Sequence, residues 1–262
     1  MEEDTNKKPF VIKIRDKKIL FSADNLYSRV WKLTRFRNNR MPEEKVSNLL
    51  IKKLDLCRCF VDVGANLGYY TFLASKLMSD GIVYSFEMDE KNYGLLEKNL
   101  YINKCKNVKI YHAAVTDSSG FVNYSNNLKL PSPILTLSNR ISQNKYSLKK
   151  SVKAISLDDF FNNNGSKPEI IKIDVEGAEI KVLNGMQNIL NNDNLQLFLE
   201  IHPFRLKFNF QSSANAVVSM LLNKGFLVSE IKKMRRSGKD IELKKLDRDS
   251  QIMHNTMIYA HR

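Results

Sequence analysis

Residues 60–72 read FVDVGANLGYYTF, and no other stretch restricts the fold of this chain as tightly. An apolar run from Phe60 to Val63 carries a single acid, Asp62. A turn bracketed by Gly64 and Gly68 follows, and apolar residues at helical spacing continue beyond it. A buried strand, a tight glycine turn and a helix in that order open a βαβ unit. Such units assemble into a mostly parallel sheet covered by helices on both faces. In sheets of this kind ligands bind outside the carboxyl ends of the strands.

The rest of the chain continues the alternation. RCFVDVG, GIVYSFE, VKIYHAAV, EIIKIDV and LQLFLEIH read as strands. Helices are expected at Leu67 to Met78, Glu90 to Asn103, Ala178 to Leu190 and Ala214 to Asn223. GFLVSEI and TMIYAHR close the chain as two strands with no long helix between them, which predicts one antiparallel strand. Thr116 to Lys150 shows no clear period, and SVKAIS after it reads as a strand. Before this unit, FVIKIRDKKILFS alternates about Arg15–Lys18 and predicts a hairpin. MPEEKVSNLLIKKL predicts a helix with Pro42 in its first position. The chain divides into a basic N-terminal extension, residues 1–45, which could cap the site, and an α/β domain, residues 46–262.

Three features select the cofactor. A nicotinamide loop reads G-x-G-x-x-G, but here the middle position is Asn66 and the last is Tyr69. Asn tolerates left-handed geometry, so the turn still forms, while Tyr69 argues against the close helix–strand packing of that motif. Asp62 is the second feature. A buried carboxylate needs partners, so Asp62 should meet loop amides, a cationic amino group, or both. S-adenosylmethionine offers such a cation. Glu87 is the third, since an acid ending the second strand accepts from both ribose hydroxyls and disfavours a 2′-phosphate.

These blocks, together with VYSFEMDEKNYGLLEKN, ISLDDF, IIKIDVEGAEIKVLNG and FLEIH, resemble the FkbM family of S-adenosylmethionine-dependent methyltransferases. The resemblance spans roughly residues 58–202. It implies a class I methyltransferase fold, Rossmann-like, with a mostly parallel seven-stranded sheet. It also implies O-methylation of a hydroxyl, often on a sugar, and carries over Asp62, Gly64, Asn66, Gly68 and Glu87 as cofactor contacts. Met88 departs from the Pro that the family often has there, and is placed with the cofactor residues. Tyr69 and Thr71, opening the first helix, are expected to bind the cofactor's carboxylate, with at least one of Tyr69 and Tyr70 in the core. Ala114 should present backbone to the adenine.

Methyl transfer to a hydroxyl requires positioning of the acceptor and removal of its proton. The candidates end the fourth and fifth strands. Period-two alternation puts Lys172 and Asp174 on one face, and Glu200 and His202 on one face. His202 has the intrinsic pKa of a base. Asp174 or Glu200 is expected to orient it or to take the proton directly. Asp174 also counts as a cofactor contact, and Lys172 as its neutralising partner. Glu176 follows in the turn and is expected at the acceptor. Mg²⁺ held by Asp174, Glu200 and a neighbour is an alternative.

Charge bears on the acceptor. The net charge is +14, concentrated in residues 1–60 and 232–262. Basic flanks attract sugar phosphates, nucleic acid or an anionic membrane surface. RVWKLTRFRNNR places Trp31 to stack a sugar ring and Arg35 and Arg37 to pair with phosphate. A glycan acceptor, phosphorylated or lipid-linked, is the favoured partner. RNA is the second reading, and a non-catalytic cofactor- or nucleic-acid-binding protein the third. The start lacks a signal-peptide core and no apolar run is long enough to span a membrane, so the expected location is the cytoplasm. Cys57, Cys59 and Cys105 are expected as reduced thiols, and a homo-oligomer is compatible with all of this.

Overall fold

The computed structural model describes residues 8–36, 41–127, 147–234, 236, 238 and 240–262. The chain opens with the expected hairpin, β1 (Phe10–Ile14) and β2 (Lys17–Phe21), which turns at Arg15 with φ 53°. Phe10, Ile12 and Ile14 bury one face of β1 while the residues between them face out. Next comes α1 (Leu26–Arg35), whose N-cap Asn25 accepts from the Ser28 amide. Then α2 (Glu44–Leu54) starts two residues later than Pro42. Glu43 precedes it in left-handed geometry, φ 45°, and the Pro42 carbonyl accepts the Ser47 hydroxyl at 2.7 Å. Pro42 therefore anchors the turn into the helix and is not its first residue.

The alternating unit follows: β3 (Cys59–Val63), α3 (Tyr69–Leu77), β4 (Ile82–Glu87), α4 (Glu90–Asn103) and β5 (Val108–His112). After a side sheet come α5 (Leu157–Asn164), β9 (Ile170–Ile173), α6 (Glu179–Asn184), β10 (Gln196–Ile201), α7 (Pro203–Phe210), α8 (Ala214–Asn223), β11 (Leu227–Ile231), β12 (Leu243–Lys245) and β13 (Thr256–His261). The main sheet runs β12-β11-β13-β10-β9-β3-β4-β5. Strands β5, β4, β3, β9 and β10 pair in parallel, and β13 enters antiparallel between β10 and β11. This is the class I methyltransferase order. The short edge strand β12, antiparallel to β11, makes eight strands where seven were expected.

Two other expectations change. Ala178 to Leu190 is not one helix. It is the short α6, a turn and a 3₁₀ segment, Ile189–Asn191. At Gly185 a side chain would collide with the Thr116 carbonyl, so the chain turns there against the start of the side sheet. That sheet is β6 (Ala114–Val115), β7 (Gly120–Asn127) and β8 (Ser147–Ile155), in the order β6-β8-β7. It fills much of the stretch that shows no period in sequence. The two prolines of LPSPIL lie outside the described residues.

The strands bury both faces. Val61 and Ile171 point to one core with Leu197, Leu199 and Val217, whereas Phe60 and Phe198 point to the other with Phe72 and Leu73. Ile12, Ile19 and Phe21 of the hairpin and Leu50 of α2 belong to that second core. The Phe21 ring meets Phe72 edge-on at 6.1 Å. The N-terminal segment thus packs directly on α3, beside the glycine turn. Cys57, Cys59 and Cys105 are free thiols, and burial pushes the first two up to about 12. No helix among the described residues is long and apolar enough to cross a membrane.

Candidate functional site

The turn after β3 uses three left-handed positions: Gly64 (φ 77°), Asn66 (φ 53°) and Gly68 (φ 93°). At Gly64 there is a second constraint, because a Cβ there would occupy the space of the Asp174 carbonyl oxygen. The amides of Gly64 and Ala65 both donate to the Phe86 carbonyl, at 2.9 and 3.0 Å. Asn66 sends its amide to Glu87 Oε2 at 2.7 Å, and the Asp89 amide donates to Glu87 Oε1 at 2.8 Å. Glu87 is nearly enclosed, and burial pushes its carboxyl up to about 7 against the pull of those two amides. The turn, the end of β4 and the end of β9 together frame a cleft of about 670 Å³ including its mouth. Gly64, Asn66, Glu87, Met88, Ala114 and Asp174 all line it.

Asp62, Gly68 and Thr71 do not reach this cleft. Asp62 is fully buried behind the turn, where its Oδ2 accepts the Thr71 hydroxyl at 2.7 Å. The Thr71 hydroxyl is also 2.8 Å from the Ser85 hydroxyl. The cation that Asp62 meets belongs to the protein: Lys172 Nζ is 3.7 Å from Asp62 Oδ1. Burial nevertheless raises the Asp62 pKa, with Lys172 and Thr71 pulling the other way. Gly68 is held by packing, since a Cβ would strike Phe72 and Leu96. Tyr69 and Tyr70 are both buried. The Tyr69 hydroxyl pairs with Ser47 at 2.9 Å and the Tyr70 hydroxyl donates to Glu43 at 2.7 Å.

Lys172 and Asp174 share a face, as alternation requires. Lys172 Nζ lies 3.6 Å from Asp174 Oδ2, 3.5 Å from the Gly64 carbonyl and 5.1 Å from the centre of the Tyr70 ring. Burial opposes its charge, but Asp174 and Asp62 overcome this and hold the ammonium well above its usual range. Burial pushes Asp174 upward, yet the charges of Lys172 and His202 prevail and keep it below the ordinary carboxylate range. Asp174 Oδ1 has no hydrogen-bond partner among the described residues.

His202 sits between β10 and α7, 2% exposed. Its Nδ1 is 2.7 Å from Glu179 Oε1. Its Nε2 lies 3.1 Å from Glu176 Oε2 and 3.8 Å from both Asp174 Oδ1 and Glu200 Oε1. Burial alone would lower its pKa, but the Glu179 hydrogen bond and the charges of Asp174 and Glu176 raise it to about 9. Arg205 of α7 pairs with Glu176 at 2.8 Å. Sequence reasoning reached Asp174, Glu176, Glu200 and His202 of this cluster and missed Glu179 and Arg205; the signal for Glu179 was its place inside the KIDVEGAE block.

Ligand atoms of Asp174, Glu200 and His202 fall within 4.8 Å of one another. These residues do not fit Mg²⁺. The Asp174 charge is already answered inside the protein by the Lys172 ammonium, and the third donor is an imidazole nitrogen, whereas Mg²⁺ favours oxygen donors and keeps several of its own waters.

A second cleft of about 1160 Å³, counted with its mouth, joins the first at Gly64, Asn66, Asp174 and Glu176. Its outer wall is α1, with Tyr27, Trp31 and Arg35. Tyr27 ties α1 to the turn, its hydroxyl 2.8 Å from the Asn66 side-chain nitrogen. Trp31 packs against Phe10, Phe21 and Tyr69 at 6.0, 5.6 and 6.2 Å and still borders the cleft. Arg35 lies 3.5 Å from Glu43. Arg37 lies outside the described residues.

The chain is 26% identical over 208 residues to the hexuronic acid methyltransferase AglP of Haloferax volcanii, covering 79% of this chain and 77% of that protein. Among solved structures it is similar to methyltransferase FkbM from Methylobacillus flagellatus KT, with a TM-score of 0.49 and 14% identity. That similarity covers 78% of this chain and spans 44% of the length of the other. A SAM-dependent methyltransferase from Agrobacterium tumefaciens aligns over 99% of this chain and 71% of its own, with a TM-score of 0.49 and 11% identity. Residues 62–228, from β3 to the start of β11, match the methyltransferase FkbM domain, and the chain belongs to that family.

Proposed function

We propose that this protein transfers the methyl group of S-adenosylmethionine to an oxygen of a sugar acceptor, and that it works in the cytoplasm. The observation that carries the reading is the meeting of two clefts at Asp174 and Glu176, with His202 directly beneath. The hexuronic acid named for the Haloferax volcanii relative supports a sugar acceptor.

The residues of the first cleft fit the cofactor. Glu87 faces the cleft with two lone-pair sites beyond those used by the Asn66 and Asp89 amides, which suits a ribose diol. Met88 and Ala113 to Val115 give the apolar surface that an adenine ring needs. The unpartnered Asp174 Oδ1 at the junction suits a cationic centre. When bound, the cofactor supplies a methyl group activated on a sulfonium. The rest is done by the chain. Tyr70, Lys172 and Gly64 fix Asp174 at the junction. Trp31 and Arg35 hold the acceptor in the second cleft, Trp31 by stacking on the sugar and Arg35 by pairing with an anionic group. In its neutral form, which grows as pH rises toward about 9, His202 takes the proton of the attacking hydroxyl on Nε2.

A carboxylate acceptor would arrive without a proton and would need no such base, so the arrangement favours a hydroxyl. The test is transfer of labelled methyl from S-adenosylmethionine to oligosaccharides ending in glucuronate or galacturonate. Label that survives mild alkali marks a methyl ether and supports the hydroxyl reading. Label lost to alkali marks an ester and removes His202 from the role of base. Absence of transfer, with no heat of cofactor binding in calorimetry, would overturn the assignment.

A further inference from the structure

We infer that Glu179 is a positioning residue for His202: its carboxylate engages Nδ1 and leaves Nε2 as the one ring nitrogen presented to the junction of the clefts. Glu179 begins α6, on the far side of the histidine from the cleft. It is fully buried. Its Oε1 accepts the Gly177 amide at 2.8 Å and lies 2.7 Å from His202 Nδ1. An oxygen already accepting from an amide marks the neighbouring nitrogen as the donor, so the Nδ1–H points at Glu179. The other ring nitrogen then has a single direction, toward Glu176, Asp174 and Glu200.

A helix-start role for Glu179 does not account for this placement. Such an acid gains a fraction of its effect from exposure-tolerant dipole contacts, and α6 is only six residues long. Full burial with Oε2 left without a hydrogen-bond partner is a cost that an exposed residue avoids. A left-handed Glu176 (φ 55°) and Gly177 (φ 113°) bend the chain between β9 and α6. At Gly177 a Cβ would press on Arg205 of α7. The bend therefore brings α6 close to α7, whose N-cap is His202 itself. The KIDVEGAE block thus supplies both sides of the histidine: Asp174 and Glu176 at Nε2, Glu179 at Nδ1.

Among the described residues, charged groups face His202 from two elements packed against it and from the bend before α6. These are Asp174 and Glu176 from the β9–α6 bend, Glu179 from the start of α6, Glu200 from β10, and, through their partners, Lys172 and Arg205. Of these only Glu179 touches Nδ1, so only its replacement changes which nitrogen holds the proton at alkaline pH. This part rests on the side-chain geometry alone. The catalytic consequence rests on the methyl-transfer reading above.

The experiment separates the two. Nitrogen-15 spectra of the ring-labelled, full-length protein are recorded across alkaline pH, with His202→Gln identifying the His202 signals. The wild type is expected to keep its last proton on Nδ1. A proton on Nε2, with Nδ1 bare, overturns the proposal without any Glu179 variant. In Glu179→Gln the His202 midpoint should fall by about one pH unit or more, while Glu179→Asp retains part of the shift. An unchanged midpoint in a folded Glu179→Gln also overturns it. On a glucuronate-ended oligosaccharide, Glu179→Gln should lower kcat by about tenfold or more, with the pH profile displaced to lower pH and S-adenosylhomocysteine affinity unchanged. Loss of cofactor affinity with an unmoved profile would assign Glu179 a merely structural role.

Discussion

Gly64 and Asn66 occupy one turn for different reasons. Asn66 is there because it accepts left-handed geometry while offering a side chain that Tyr27 can bind. Gly64 is there because the backbone of β9 lies against it. Gly64→Ala should therefore weaken S-adenosylmethionine binding more than tenfold and lower the melting temperature, checked by calorimetry and thermal denaturation. Asn66→Gly should keep the turn and cost binding far less. The left-handed Asn66 was legible in sequence because conformational tolerance is a property of the residue itself. The partner of Asp62 was not: a carboxylate in a strand announces its need for a cation, but Lys172 meets that need from a strand more than a hundred residues away.

At the scale of elements, α1 joins the core to the acceptor cleft. Its inner face reaches the second core through Trp31, and its last turn carries Arg35 at the cleft. The two residues should separate on mutation. Trp31→Ala removes contacts with Phe10, Phe21 and Tyr69 and should cost about 2–4 kcal/mol in denaturant unfolding. Arg35→Ala, a half-exposed side chain, should leave stability within about 0.5 kcal/mol while raising the KM for an anionic acceptor severalfold. Strands and helices with a clear period, such as α4 and α8, lie where the pattern predicts. The break after α6 was hidden because its cause, the Thr116 carbonyl facing Gly185, is a contact between segments distant in sequence. The side sheet was only partly legible: SVKAIS reads as a strand and forms the end of β8, but its partner β7 pairs with it across residues 128–146 and has no strong pattern of its own.

For the whole molecule, the buried charges link stability to pH. The folded pKa of His202, about 9, lies above its ordinary value of 6.5, so the native state holds the extra proton. The resulting stability is complete below pH 6.5 and is lost as pH rises through about 9, up to ~3 kcal/mol. Glu87 acts in the same direction at lower pH, because its folded value of about 7 exceeds the ordinary 4.5. Its contribution is present below pH 4.5 and lost through pH 7. The melting temperature of the cofactor-free protein should therefore fall with rising pH. His202→Gln should flatten the part of that fall between pH 6.5 and 9 while leaving the part below pH 7 in place.

From sequence alone came the βαβ order, the turn, and the acids at the ends of β4 and β9, because strand period, helix period and turn chemistry are local properties written into consecutive residues; the class I methyltransferase arrangement came from the resemblance to the FkbM family. Tertiary structure decided the rest. It withdrew Asp62 and Thr71 behind the turn, set the Lys172 ammonium between two acids, and closed Glu179 onto the far side of His202. Those outcomes depend on the approach of segments far apart in the chain and on which charges share a buried space. Whether His202 carries a proton near neutral pH is a sum over four carboxylates contributed by the bend after β9, by α6 and by β10, and no one of those segments contains the answer.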